Sequence, residues 1–192
     1  MLPVVYICIS HFFYSFAFII RYLLGRQNAA CDSHGLLIQS NASGNNYCTL
    51  IYAIASFFST TATAWFVVLN LAWCLSTTRR FSPEAVESYS SLFHLFAWGS
   101  GALWMVVTLL FGAIHGDDLS GMCSLEYGSG MSMAPDLAMD SVSLLLFLIG
   151  LVSMIQIKLE IETPKLIQLS RLKLMVRRVT LFVLVYLATK VL

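Results

Sequence analysis

The chain has 192 residues, of which 58% are hydrophobic, 13% aromatic and only 11% charged, with a formal net charge of +1. Soluble domains carry about 25% charged residues, so an ordinary soluble domain is excluded and a membrane protein is indicated; the mean hydropathy of +0.80 agrees. The near-zero net charge gives no ground for a nucleic-acid partner, and five cysteines leave at least one without an intrachain partner.

Stretches of about 17–25 mostly apolar residues with few charges mark membrane-spanning helices. They predict five spans, at 3–24, 50–75, 92–114, 137–157 and 172–192. The expected fold class is therefore all-α, a polytopic membrane helix bundle occupying residues 1–192 as one domain. Asp140 near the start of the fourth span and Lys190 near the end of the fifth make those edges less apolar. Residues 1–24 read as a retained helix rather than a signal peptide. They lack a basic leading region, and Arg21 and Arg26 follow the apolar run where a small-residue cleavage site would stand. Five crossings put the termini on opposite sides, and the abrupt apolar end at Val191-Leu192 reads as that of an incomplete chain.

Charge orients the bundle. Arg79 and Arg80 lie between the second and third spans; Lys158, Lys165 and Arg171 lie between the fourth and fifth; Lys173, Arg177 and Arg178 follow directly. Cytoplasmic loops carry the excess of lysine and arginine, so these two linkers face the cytoplasm and the other two face outward. The outer linkers hold Asp32, Asp117, Asp118 and Glu126, the cysteines Cys31, Cys48 (at a boundary) and Cys123, and the sequon Asn41-Ala42-Ser43. Such a sequon is a glycosylation acceptor on an external segment, which agrees with the charge count.

Cys48 and Cys123 both sit at the outer face, in the compartment where disulfides persist. A bridge is favoured over two external thiols on that ground. It would close a loop of about 75 residues and contribute at most ~4 kcal/mol, less because the membrane already confines the loop. Cys31 is external with no remaining partner. Cys8 and Cys74 lie within spans and read as small apolar fillers.

The sequence offers no catalytic constellation, cofactor-binding motif or metal set. His94 and His115 fall at opposite ends of the third span, too far apart to share an ion. Gly99, Gly101 and Gly112 read as helix-packing sites, because small residues let helices approach closely. The mid-span polar residues His11, Asn70 and His94 read as interhelical contacts rather than catalysts. Asp136 and Asp140 follow Pro135 where the fourth span begins, and read as helix N-terminal charges rather than ligand contacts. Lys173, Arg177 and Arg178 read first as positive-inside residues snorkelling to lipid, and alternatively as a docking surface for a cytoplasmic partner.

Several segments, in order along the chain, resemble the membrane region of the Frizzled receptors, within the Frizzled/Smoothened class of seven-helix receptors. PVVYICISHFFYSFAFIIRYLLGR, followed by Cys31-Asp32, resembles the second helix and first external loop of the family. TATAWFVVLNLAWCLS resembles its third helix, with Trp65 and Trp73 at tryptophan positions. PEAVESYSSLFHLFAW resembles the second cytoplasmic loop and fourth helix, and its Glu84-Ala85-Val86-Glu87 favours Frizzled over Smoothened. HGDDLSGMC resembles the second external loop, Met133-Ala134-Pro135 the start of the fifth helix, and RLKLMVRR the basic start of the sixth. Departures from the family pattern include Phe81-Ser82-Pro83 in place of tryptophan-glycine-histidine, Gly101 in place of the fourth-helix proline, and Trp104 in place of a basic residue. Leu187 to Lys190 also depart, because the sixth helix of the family has a proline and no lysine there.

The resemblance implies a Wnt receptor of the G protein-coupled-receptor type that signals through Dishevelled at the plasma membrane, with no enzyme activity and no cofactor. It implies a Cys48–Cys123 bridge between the third helix and second external loop, and a Cys31 partner in the extracellular linker ahead of the first helix. Lys173 takes the position of the basic residue that holds the inactive state against the seventh helix. Arg79, Arg80 and the segment containing Lys165, Arg171, Arg177 and Arg178 contribute to the Dishevelled face. A G protein and a receptor oligomer are further partners the resemblance admits. The Wnt-binding cysteine-rich domain, the first and seventh helices and the carboxyl-terminal Dishevelled motif have no counterpart in this sequence, so signalling by these residues alone is not expected. The competing readings are a small transporter or channel subunit, which calls for helices broken near mid-membrane, and a truncated, non-signalling partner of a full receptor.

Overall fold

The computed structural model describes residues 3–25, 46–78, 83–111, 114–116, 123–125 and 134–160, together with positions 177, 180–181, 183–186 and 188. The ordered elements are α1 (Pro3–Leu24), α2 (Asn46–Thr78), α3 (Pro83–Ser88), α4 (Ser90–Phe111), β1 (Ile114–Gly116), β2 (Cys123–Leu125) and α5 (Ala134–Glu160). Four of these, α1, α2, α4 and α5, are long and apolar enough to cross a membrane. They correspond to the first four expected spans. The fifth, at 172–192, lies largely outside the described residues, although its positions 180–181 and 183–186 are helical. The chain divides into two compact units, 1–154 and 155–192. The first holds the bundle; the described part of the second is the final turns of α5 and those helical positions near the carboxyl end.

The element ends follow local chemistry. Gly25 closes α1 in the left-handed region, at φ 76°, and donates its N–H to the Arg21 carbonyl at 3.1 Å. Glycine adopts that conformation without a Cβ penalty. α2 has 33 residues and so is about 50 Å long at 1.5 Å per residue, well over the ~30 Å hydrocarbon layer. Hydropathy marks only its apolar middle, 50–75, because its polar first and last turns lie beyond that layer. Near its carboxyl end, Ser76 donates to the Ala72 carbonyl at 2.8 Å and Thr77 to the Trp73 carbonyl at 3.0 Å. Such back-bonding satisfies hydroxyls inside a helix. α3 begins at Pro83, as proline favours, and Tyr89 separates it from α4.

The third span ends earlier than expected. α4 stops at Phe111, and Ile114 belongs to β1, which pairs antiparallel with β2 in the register Ile114↔Leu125, His115↔Ser124, Gly116↔Cys123. Strands of three residues are too short for a sequence period to reveal.

α2 is the central helix. Its most apolar stretch is 61% buried, against 17%, 22% and 22% for α1, α4 and α5. Ring contacts Tyr6–Trp65 and Phe13–Phe58 run in opposite chain directions, so α1 is antiparallel to α2. Phe57–Trp98 and Trp65–His94 make α4 antiparallel to α2 as well. Asn70–Ser143 and Thr77–Ser153 advance together, so α5 runs parallel to α2. That alternation is what successive membrane crossings require. The outer faces remain apolar, with Phe12, Ile19 and Leu23 on α1, Leu95 and Leu103 on α4, and Leu145 and Val152 on α5 all exposed. In lipid such faces carry no solvation cost.

Candidate functional site

The described residues assemble three contact layers along α2. At its first turn Cys48 is bonded to Cys123, the first residue of β2, with Cα atoms 5.5 Å apart, inside the range of about 4.4–6.8 Å that disulfides occupy. Cys48, Tyr52, Ile114, Cys123 and Leu125 form one buried cluster, with Leu109 of α4 packed against it. The bridge thus fixes the hairpin to α2 and places the linker after α4 at the same end of the bundle as the start of α2.

The middle layer is aromatic. Tyr6 of α1 stacks on Trp65 of α2 at 4.6 Å between ring centroids, and His94 of α4 meets both edge-on, at 4.7 and 4.9 Å. One histidine therefore joins three helices through ring contacts; each such aromatic contact is worth about 0.5–1.5 kcal/mol beyond burial. Trp98 extends the cluster to Phe57, with centroids 6.1 Å apart. Below Phe57, Gly101 of α4 lies so close to α2 that a Cβ there would meet Thr61 Oγ1 and the Phe57 carbonyl.

The third layer joins α2 to α5. Asn70, fully buried, donates through Nδ2 to the Phe66 carbonyl at 3.0 Å and to Ser143 Oγ at 2.6 Å. Trp73 lies against Gly150, where an added Cβ would come 2.5 Å from its Nε1. Ser153 donates to the Thr77 carbonyl at 3.3 Å.

The expected site residues divide clearly. Cys48 and Cys123 are joined. Asn70 and His94 make contacts between helices, while His11 is half-buried on α1. Asp136 lies in the first turn of α5, beside Pro135, where the helix dipole favours a carboxylate. Arg177 is an exposed helical position. Cys31, Asn41, Arg79, Arg80, Lys165, Arg171, Lys173 and Arg178 lie outside the described residues, as does Gly112. Two readings need correction. Cys8 is not a core filler but an exposed thiol on α1, whereas Cys74 is buried. Gly99 makes no close approach, having nothing within 4 Å of a built Cβ; it points away from α2, whereas Gly101 faces it.

Sequence reasoning missed Tyr6, Ser143 and Gly150. Their helices could be seen, but which face of each meets α2 is a tertiary fact. The four apolar helices run without interruption through their described length, unlike the broken helices on which transporters build mid-membrane sites.

Comparison with known proteins then fixes the lineage. The membrane region of the Frizzled/Smoothened family matches residues 1–192. The chain is 29% identical to Frizzled-2 of Caenorhabditis elegans over 191 residues, covering 96% of this chain and 33% of that protein. It is 35% identical to Frizzled-9 of Rattus norvegicus over 123 residues, covering 63% and 21%, and 30% identical to rat Frizzled-4 over 169 residues, covering 83% and 31%. The chain thus spans a third or less of the length of these relatives. Multi-pass topology, the Cys48–Cys123 disulfide and the match along every residue lead to one conclusion: this chain belongs to the Frizzled/Smoothened family, as membrane region of a seven-helix receptor and not of an enzyme.

Proposed function

We propose that this membrane region serves a Frizzled-type Wnt receptor of the plasma membrane that recruits Dishevelled on its cytoplasmic side. The family match along all 192 residues is the observation that carries the reading. The cytoplasmic assignment rests on charge: Arg79, Arg80, Lys165, Arg171, Lys173, Arg177 and Arg178 gather on the linkers that the positive-inside rule puts there. Ligand capture outside the bilayer shifts the helices, and the basic face changes between two packing states, which is what a switch requires. Lys173 holds the resting state, Cys31 bonds to a cysteine ahead of the first helix, and Asn41 carries an external glycan.

The test uses cells expressing the protein at the full length in which it occurs. Wnt addition should move fluorescent Dishevelled to the plasma membrane, and alanine at Arg79 and Arg80 should reduce recruitment several-fold at unchanged surface level. Recruitment that ignores Wnt, or that survives neutralisation of the whole basic set, refutes the reading.

A further inference from the structure

The α2–α5 seam is unlike the other helix contacts in the bundle. α1 and α4 meet α2 through rings and a close backbone approach, whereas α5 meets it through two hydrogen bonds and one glycine notch. The residues of α2 that meet α5 are Asn70, Trp73 and Thr77, and those of α5 that meet α2 are Ser143, Gly150 and Ser153, so the seam is carried mainly by side chains rather than by close backbone approach.

An apolar seam in lipid does not define its own axial register, because the surrounding chains are as apolar as the side chains. We propose that Asn70 is the register-setting residue of this pair and that, with the Gly150 notch, it holds α5 at a single axial position on α2. A slip of one turn is about 5.4 Å, or 3.6 residues. In one direction it brings Leu146 or Phe147 to the Asn70 amide in place of Ser143, and neither side chain carries an oxygen. In the other it brings Met139 or Asp140 there, and the same slip carries Leu146 or Phe147 to Trp73 in place of Gly150, where an added Cβ already meets the indole. The hydrogen bond therefore opposes the first slip and the loss of Gly150 from Trp73 opposes both, so the two pins select the same register.

The energetics favour a specificity role over a stabilising one. Asn70 donates both amide hydrogens, yet its Oδ1 is buried without a hydrogen-bond partner among the described residues. A desolvated, unpaired carbonyl is costly. Polar residues tolerated at such a cost between parallel helices fix register in coiled coils, and the same logic applies to this pair. Because the Cys48–Cys123 bond anchors β2 to the outer end of the same α2, α2 is the reference for both the hairpin and α5. Motion of α5 is then tilting about the Asn70–Ser143 level rather than sliding. The inference concerns helix register alone and does not depend on which ligand the receptor takes.

Cysteine cross-linking tests it. In the purified full-length protein, with free Cys8 and Cys74 replaced by serine and alanine, a bifunctional thiol reagent is applied to two pairs. Thr77→Cys with Ser153→Cys reports the present register, and Thr77→Cys with Gln156→Cys reports the one-turn slip that brings Leu146 or Phe147 to residue 70. With Asn70 intact, only the first pair should link. Asn70→Leu should lower its yield about three- to tenfold, the population change that one net hydrogen bond supports, and should raise that of the second. Ser143→Ala, which removes only the acceptor, should act in the same direction. The Cys48–Cys123 bridge, read on the same gels, confirms folding; if Asn70→Leu fails to form it, Ser143→Ala decides. Unchanged linking of both pairs in a bridged variant overturns the proposal, as does second-pair linking with Asn70 intact.

Discussion

Replacing Gly101 by alanine tests whether backbone proximity sets the α2–α4 contact. On the present backbone the new Cβ would collide with Thr61 Oγ1, lie 2.9 Å from the Phe57 carbonyl oxygen and stand 3.4 Å from the Phe57 ring. The carbonyl belongs to helix backbone and cannot swing aside, so the helices must separate. Overpacking of this kind costs about 1–3 kcal/mol. The better helix propensity of alanine offsets about 0.8–1.0 kcal/mol of that, which leaves a net loss of up to ~2 kcal/mol. At about 2–4 °C per kcal/mol for a chain of this size, Tm should fall by several degrees. Gly99→Ala is the matched control: it gains the same propensity with nothing within 4 Å to strike, and its Tm should stay level or rise. Thermal unfolding in detergent, followed with a thiol-reactive dye in a Cys8→Ser background, reads both variants, because Cys74 is buried until the bundle opens. Equal Tm shifts for the two alanines would refute the reasoning.

Cys48→Ser should abolish the reductant-sensitive part of the stability: Tm of the parent falls on adding reductant, by less than the ~4 kcal/mol chain-entropy ceiling, and that of the variant does not respond. For the aromatic layer, Trp65→Leu and Tyr6→Leu should be non-additive, with a coupling of about 0.5–1.5 kcal/mol in a double-mutant cycle; strict additivity would mean that the 4.6 Å stack contributes nothing. Asn41→Gln should give a faster-migrating band that glycosidase no longer shifts, and an unchanged band would argue that the first linker does not face outward.

Much of the fold was legible because the bilayer imposes it. A fixed hydrocarbon thickness requires helices of a minimum apolar length, so the first four spans could be read within a few residues. Lysine and arginine, costly to translocate, are the basis on which the second and fourth linkers are proposed as cytoplasmic. The same logic placed Cys48 and Cys123 at one face, where the structure joins them. Other features were not legible, for specific reasons. Gly99 and Gly101 are two residues apart, about 200° around a helix of 3.6 residues per turn, and no property of the sequence says which one faces α2. Cys8 and Cys74 are the same residue in similar apolar runs, yet among the described helices one is exposed and the other buried, because α2 packs against three neighbours and Cys8 lies on a face of α1 that none of them covers.

The sequence by itself therefore determined the membrane class, the positions of the first four spans and the family, each of which depends on composition summed over a window or on residues in order along the chain. The tertiary structure alone decided that α2 is the hub, that Ile114 leaves α4 for a hairpin, and that Asn70 finds Ser143 while Trp73 finds Gly150. Those outcomes depend on rotation about each helix axis and on axial register, and apolar surfaces in lipid leave both undefined until particular side chains meet.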